Sequence, residues 1–302
     1  MNPHRLKAYL LLFIVTVIWA FAGPIIKYTL GGIPPLLFLT YRFGLSTLIS
    51  VICFFIFGFH LPKEGKLRCE LILYGFLTST VSLGLLFFGL KETTVLDMSL
   101  ITLINPLLVT LAGVYFLKEH VTGREKIGMA VALIGTILIV LEPFFQNGHS
   151  LTRFSGNFLI LLYLLSTAWD TVLAKKLLRA GVNPLTITGF SFIVGFITLF
   201  PFALITYPPG IIRDIPISYH LGVIYMAVLS GSLAYYLSNK AQKTVEIGEA
   251  AVFSYLYPLF STPLAVIWLG EKITSMFIFG ALIISLGVAI AEIKKKRYNT
   301  SS

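Results

Sequence analysis

A chain of 302 residues in which 57% are hydrophobic and only 12% charged cannot cover itself with polar surface; a soluble domain carries about 25% charge, so lipid is its solvent. The formal charge of +10 does not mark a nucleic-acid binder, because the basic residues fall in short stretches between long apolar runs, as membrane topology requires. Two cysteines, Cys53 and Cys69, lie in or beside apolar runs and exclude a disulfide framework.

The first apolar run, Ala8 to Ile26, follows Arg5 and Lys7 and resembles a signal peptide. It is long for one, and it continues into Lys27 and Tyr28 without a small-residue cleavage site, so it reads as a retained helix. A spanning helix needs about 20 mostly apolar residues. Ten such segments follow one another at 7–29, 34–58, 70–91, 96–117, 124–142, 155–176, 184–207, 217–240, 248–270 and 274–292. Turn chemistry separates several of them, at Gly31-Gly32-Ile33-Pro34-Pro35, Gly148-His149-Ser150 and Tyr207-Pro208-Pro209-Gly210. Charge tests the count. With ten helices, 17 of the 23 basic residues fall in loops or tails on one side of the membrane and 5 on the other, with Arg42 inside the second helix. The basic side is cytoplasmic by the positive-inside rule, which puts both termini there.

The stretch from Pro106 to Gly135 reads apolar helix, charged turn, apolar helix, and returns 152 residues later from Pro258 to Gly287. Pro106, Leu107, Thr110, Val114, Leu117, Glu119, Thr122, Gly128 and Gly135 meet Pro258, Leu259, Thr262, Val266, Leu269, Glu271, Thr274, Gly280 and Gly287 without a gap. Each repeat holds five helices, an odd number, so the second enters the membrane from the opposite side. The expected fold is an all-α membrane protein of ten transmembrane helices in two inverted-topology repeats, residues 1–146 and 147–302. Such repeats are a recurrent architecture of secondary transporters.

The motifs resemble the drug/metabolite transporter superfamily, in particular its EamA-type ten-helix members. The resemblance rests on Trp19 and Trp169, on Tyr41-Arg42-Phe43, and on Asn105-Pro106 and Tyr257-Pro258. It rests as well on the Leu-x-Glu-x-[Val/Ile]-Thr turns at 117–122 and 269–274 and on the Gly-x6-Gly helices 5 and 10. It covers nearly the whole chain. It implies a central cavity lined mainly by helices 1, 3, 4, 6, 8 and 9, with Trp19 of helix 1 and Trp169 of helix 6 among its candidate substrate contacts. It also implies a small-molecule substrate, drawn in such proteins from amino acids, nucleobases, vitamins, choline-like cations and other metabolites, and often moved outward.

Pro106 and Pro258 each remove a backbone donor near the middle of a helix and predict a kink there. Asn105 and Tyr257, beside them, either face a ligand or bond a neighbouring helix. Arg42 lies about 12 Å into helix 2 at 1.5 Å per residue. A charge at that depth marks a functional site by default; the alternative is snorkelling to the interface. Asp170 either binds a cationic group or a coupling proton, or pairs with Lys175 and Lys176. Asp97, Glu142, Glu246 and Glu249 sit near helix ends, as solvated or structural acids. Hydroxyls on helix 3 (Ser79 among them) and on helix 8 either line a cavity or hold helices together, and Tyr235 with Tyr257 offers an aromatic wall. Gly128, Gly135, Gly280 and Gly287 share helix faces and are assigned to packing.

No ATP-binding loop is present, since Gly84 to Gly89 is followed by Leu90 rather than Lys. No His-Glu-x-x-His occurs, and the five histidines are placed in loops or tails, so no metal and no cofactor is expected. The expected function is a secondary transporter moving a small metabolite, such as an amino acid, across the cytoplasmic membrane by alternating access, with efflux favoured. The rival within transport is proton-coupled efflux of lipophilic cations. A membrane scaffold or enzyme would need a soluble module or a catalytic cluster, and the short loops offer neither. A homo-oligomer is left open.

Overall fold

The computed structural model describes residues 3–117, 123–145, 151–208 and 210–292. Among these residues the regular structure is helical throughout. Ten helices follow one another: α1 Pro3–Thr29, α2 Pro35–Phe57, α3 Gly65–Glu92, α4 Val95–Phe116, α5 Gly123–Phe145, α6 Leu151–Arg179, α7 Pro184–Thr206, α8 Ile217–Gln242, α9 Ile247–Ile267 and α10 Ser275–Glu292. Nine are long and apolar enough to cross a membrane, and the apolar part of α10 runs over Ser275–Ala291. The charged turn at 118–122, the turn at 148–150 and the basic tail at 294–297 lie outside the described residues.

The count matches the expectation; several ends do not. The third helix begins at Gly65 rather than 70, and the sixth runs over Leu151–Arg179 rather than 155–176. Both extensions carry charges that composition assigns to loops, and the structure gives them partners: Arg68 donates to Pro62 O at 2.7 Å and Arg153 pairs with Asp97 at 2.7 Å. Local signals set the other ends. Pro35 and Pro184 open α2 and α7 at the first turn, where a missing N–H costs nothing. Gly181, at φ +84°, stops α6 by turning the chain so that Val182 N bonds Leu177 O.

Ion pairs and caps fix the sidedness. Arg5 meets Glu249 on the face where α1 begins, whereas Lys27 meets the end of α3 and Arg153 meets the start of α4 on the opposite face. Helices therefore alternate in direction, and the second repeat is inverted with respect to the first. The packing repeats the same symmetry. The α5–α10 and α2–α7 pairs stand at two ends of the bundle, and between them α1 packs on α8 and α9 as α6 packs on α3 and α4.

The backbone irregularities are also doubled. A 3-10 segment at Thr102–Ile104 precedes Pro106, and another at Val252–Leu256 precedes Pro258. In each, the residue before the proline bonds a carbonyl three back, Asn105 N to Thr102 O and Tyr257 N to Ser254 O, so the helix narrows where proline withholds its donor. The helices α3 and α8 widen instead, into π segments at Phe76–Ser82 and Val228–Leu233. Nothing in the sequence announces these two.

The α5–α10 seam is backbone on backbone. A Cβ at Gly287 would lie 2.4 Å from Ala132 N and 2.7 Å from Gly128 O; one at Gly128 would lie 2.5 Å from Gly287 O. In lipid no hydrophobic force separates helix from helix, so close van der Waals fit of this kind holds the seam. Gly287→Val is expected to destabilise the detergent-solubilised protein by at least the ~1–3 kcal/mol of an overpacked core, read as a lower thermal midpoint. Gly65→Ala, where a Cβ meets nothing within 4 Å, serves as the neutral control.

Candidate functional site

A cavity of about 190 Å³ lies between α1, α3, α4, α6, α8 and α9, with Arg42 reaching it from α2. Its walls extend to Gln242 at the end of α8 and Ile247 at the start of α9, on the face where the chain begins. Towards the other face they stop at Ile26 and Met98, short of the buried Leu90, Val95 and Leu96.

Six of the eight candidate substrate residues line this space: Trp19, Arg42, Asn105, Asp170, Tyr235 and Tyr257. Two do not. Ser79 is buried against α7, its Cβ 2.6 Å from where a Cβ of Gly195 would stand. Trp169 is 46% exposed and packs edge-on against Phe116, ring centroids 4.4 Å apart. Successive residues on a helix point about 100° apart, so Asp170, turned inward, sends its neighbour Trp169 outward. The register of α1 against α6 explains the mismatch. Arg5 and Arg153, and Lys27 and Lys175, occupy equivalent places and are 148 apart (5 to 153, 27 to 175). The equivalent of Trp19 is then Thr167, which does line the cavity.

Each charged group of the cavity sits against a π segment. Asp170 Oδ2 accepts from Ser82 Oγ at 3.0 Å, at the end of the π segment of α3. Asp170 pairs with neither Lys175 nor Lys176: Lys175 Nζ donates to Gln242 O and Val245 O, and Lys176 meets Glu70. Arg42 Nη2 lies 3.6 Å from the place of a Gly231 Cβ in the π segment of α8. Ala227 O, just before that segment, accepts from Ser46 and Ser232, and Ser230 O within it accepts from Trp19 Nε1 at 3.0 Å. Arg42 does not snorkel; it is fully buried, and its guanidinium carbon stands 5.5 Å from the Phe43 ring and 5.7 Å from the Phe87 ring. Ring faces return about 2 kcal/mol at best each, against several for a guanidinium withdrawn from water.

The helix ends around the cavity carry the polar network that composition assigned to loops. Lys27 donates to the carbonyls of Leu90 and Thr93, and Lys175 donates to those of Gln242 and Val245, 152 residues on. Each lysine closes the carbonyl end of a broken helix. Arg153 binds Asp97 through both ends of its fork at 2.7 Å and reaches Glu142 at 3.2 Å. Asn157 and Thr93 also bond Asp97, and Thr274 donates to Glu142 at 2.7 Å. Glu271 accepts from Val95 N and Leu96 N at 2.8 and 2.9 Å, capping α4 from the other repeat. Burial raises the Glu271 carboxyl above its ordinary value, while those two amides and Lys27 draw it back. Asp97 and Glu142 are thus the most deeply buried acids; their positions near helix ends concealed it.

The equivalent pair on the opposite face is Arg5 with Glu249, at 2.7 Å, joined by Tyr9. Its side chains are 49% and 28% exposed, against 17% and 1% for Arg153 and Asp97. His220, expected in a loop, is in the first turn of α8, where Nδ1 is 3.0 Å from the Tyr41 hydroxyl. Tyr74 and Tyr163 also face the cavity, and no sequence pattern singled them out. Among the described residues no group of three metal-ligating side chains forms.

Comparison with known proteins places this geometry. The EamA-like transporter family model matches twice, over residues 6–141 and 154–292. The chain is 26% identical over 299 residues to the uncharacterized transporter YyaM of Bacillus subtilis, covering 98% of this chain and 97% of that one. It is 26% identical over 291 residues to a probable amino-acid metabolite efflux pump of Salmonella typhimurium, covering 93% of each. A crystal structure at 19% identity superposes with a TM-score of 0.68 over 95% of this chain and 98% of that one, a likeness of fold.

Arg153→Gln is expected to cost about 3–5 kcal/mol, because it strands two buried carboxylates. Arg5→Gln, in the exposed pair, should leave the thermal midpoint nearly unchanged. Thermal unfolding of the two variants in detergent reads the difference.

Proposed function

The chain belongs to the EamA-like transporter family, and from that premise we propose that it is a secondary transporter which carries a small metabolite, an amino acid or a related compound, by alternating access. It works in the cytoplasmic membrane with both termini inside, exporting its substrate, and its two repeats, residues 1–146 and 147–302, are the moving units. The protein is a membrane transporter and not an enzyme.

One observation carries the mechanism: two ion pairs occupy equivalent positions of the inverted repeats, and they differ in burial. The Arg153–Asp97 pair is sealed where the cavity stops, and the Arg5–Glu249 pair is half open where the cavity reaches the surface. Exchanging the two conditions turns the same cavity towards the other side. Because the two ion pairs are equivalent, such an exchange replaces each pair with one of its own kind, and the two states stay close in energy, as a carrier requires. The basic loops support a cytoplasmic open side, by the positive-inside rule. The direction and the amino-acid class draw on the name of the Salmonella typhimurium relative.

Asp170 in the cavity favours a second reading, proton-coupled export of lipophilic cations. The two separate in proteoliposomes. Counterflow of labelled amino acids without ATP supports the first, and cation export abolished by Asp170→Asn supports the second; transport of neither class defeats the carrier assignment. For the mechanism, Asp97→Asn is expected to speed labelling of a Met98→Cys probe from the face opposite the N-terminus, in a chain with Cys53 and Cys69 replaced. Each 1.4 kcal/mol removed from that lock corresponds to about tenfold in the population of the opened state. Unchanged labelling would separate the ion pairs from gating.

A further inference from the structure

Arg42 presents a set of donors with nothing among the described residues to receive them. It is fully buried and lines the cavity, and Nε, Nη1 and Nη2 have no hydrogen-bond partner among the described residues. Buried polar groups are almost always bonded, and a buried guanidinium has five N–H bonds to satisfy. Neither Ser46 nor Asp170 bonds it. Ser46 bonds Ala227 O, and Asp170 accepts from Ser82. The rings of Phe43 and Phe87 face the guanidinium carbon and hold the side chain in place without using its donors.

We propose that Arg42 is the carboxylate-binding residue of the cavity, and that the transported solute is a small organic monocarboxylate with an apolar or aromatic body. The proposal rests on the transporter reading above and deepens it. The planar fork of arginine matches the two oxygens of a carboxylate. Charge limits the anion to a single negative unit. Among the described residues that line the cavity, Arg42 is the one cation and Asp170 the one anion, so a phosphate dianion would remain unneutralised in a dry site. The rest of the wall suits the rest of such a molecule. Trp19, Tyr163, Tyr235 and Tyr257 offer ring faces, and Asn105 Oδ1, also without a partner, is an acceptor for an N–H or O–H of the solute.

This recognition differs from that of the repeat as a whole. The equivalent of Arg42 in α7 is Ser191, whose hydroxyl is spent on Thr188 O. The cavity therefore has one anion-binding wall and not two, and it holds a solute in one orientation in both access states.

The test uses the full chain in detergent and in proteoliposomes. The probes are L-phenylalanine, L-leucine, 3-phenylpropionate, 4-methylpentanoate, and the methyl ester of each. In the wild type, at least one free acid should raise the thermal midpoint at millimolar concentration and bind at least tenfold more tightly than its ester. Arg42→Gln should lose that preference, acid and ester then binding alike, and Arg42→Lys, which keeps the charge without the fork, should retain part of it. Stabilisation by the amino acids but not by the desamino acids assigns the ammonium group to the opposite wall; stabilisation by both leaves the carboxylate as the sole polar handle. Either result supports the proposal. Equal binding of acid and ester in the wild type, stabilisation by no acid, or an acid preference that survives Arg42→Gln would overturn it. The ester comparison needs no variant, so misfolding of Arg42→Gln does not rescue the proposal. Counterflow separates its failure from that of the carrier reading: esters that exchange across the membrane while acids do not leave the transporter standing and remove Arg42 from recognition.

Discussion

Water is missing from the hydrocarbon, so a backbone group that leaves the regular helical ladder has to find its partner inside the protein. This constraint governs the architecture more than any single apolar contact. The bundle breaks its helices at several heights to make room for a cavity, with 3-10 turns in α4 and α9 and π turns in α3 and α8. Several of these breaks and ends are closed by a named side chain. Lys27 and Lys175 close the ends of α3 and α8, Glu271 closes the start of α4, and Trp19 and Ser46 take carbonyls in and beside the π turn of α8. Many of the charges in this apolar chain are accounted for in that way. They sit where the helices end, and they allow irregular backbone to stand beside a cavity at membrane depth.

Much of this was legible in the sequence, and the limits are physical. The ten helices follow from apolar length and from the loop charges. The inverted repeat follows from the gap-free match between Pro106–Gly135 and Pro258–Gly287, and the glycines of α5 and α10 meet each other as their shared faces suggested. The wall helices follow from family resemblance, and six of the eight candidate residues named from helix position and polarity border the cavity. One departure, at Trp169, is a matter of register. The 152-residue register holds from α3 to α5 and from α8 to α10, but α1 and α6 are related by 148, because the loops between carry deletions. Aligning Trp19 with Trp169 by residue type turned a lipid-facing ring into a cavity residue, when Thr167 holds that place. The buried cluster around Arg153 was hidden for another reason. Hydropathy reads a charged residue near a helix end as solvated, and only the packing of α4, α5, α6 and α10 against one another shows that water is gone.

The two charges that remain in the cavity contrast with those at the helix ends. At the ends, lysines and carboxylates are bonded to groups of the protein itself and hold one arrangement. In the cavity, Asp170 keeps a single serine partner and Arg42 keeps ring faces only. Both lie against π turns, where a helix holds an extra residue and its carbonyls stand away from the axis. The fold thus divides its charged residues by task. Saturated ones define the frame, and the same frame turns the unsaturated ones towards the cavity.

The seam between α5 and α10 has a consequence for how the chain sits in a bilayer. The contact is nearly isologous: Gly128 faces Gly287 as their equivalents Gly280 and Gly135 face each other, with backbone against backbone at the first pair and Ile139 and Ile284 filling the second. A five-helix unit meeting its own upside-down copy would build a joint of this kind. The same packing holds with the molecule turned over. On the proposed topology, up and down are set instead by the uneven scatter of lysine and arginine along the connecting segments, during insertion and before the seam closes.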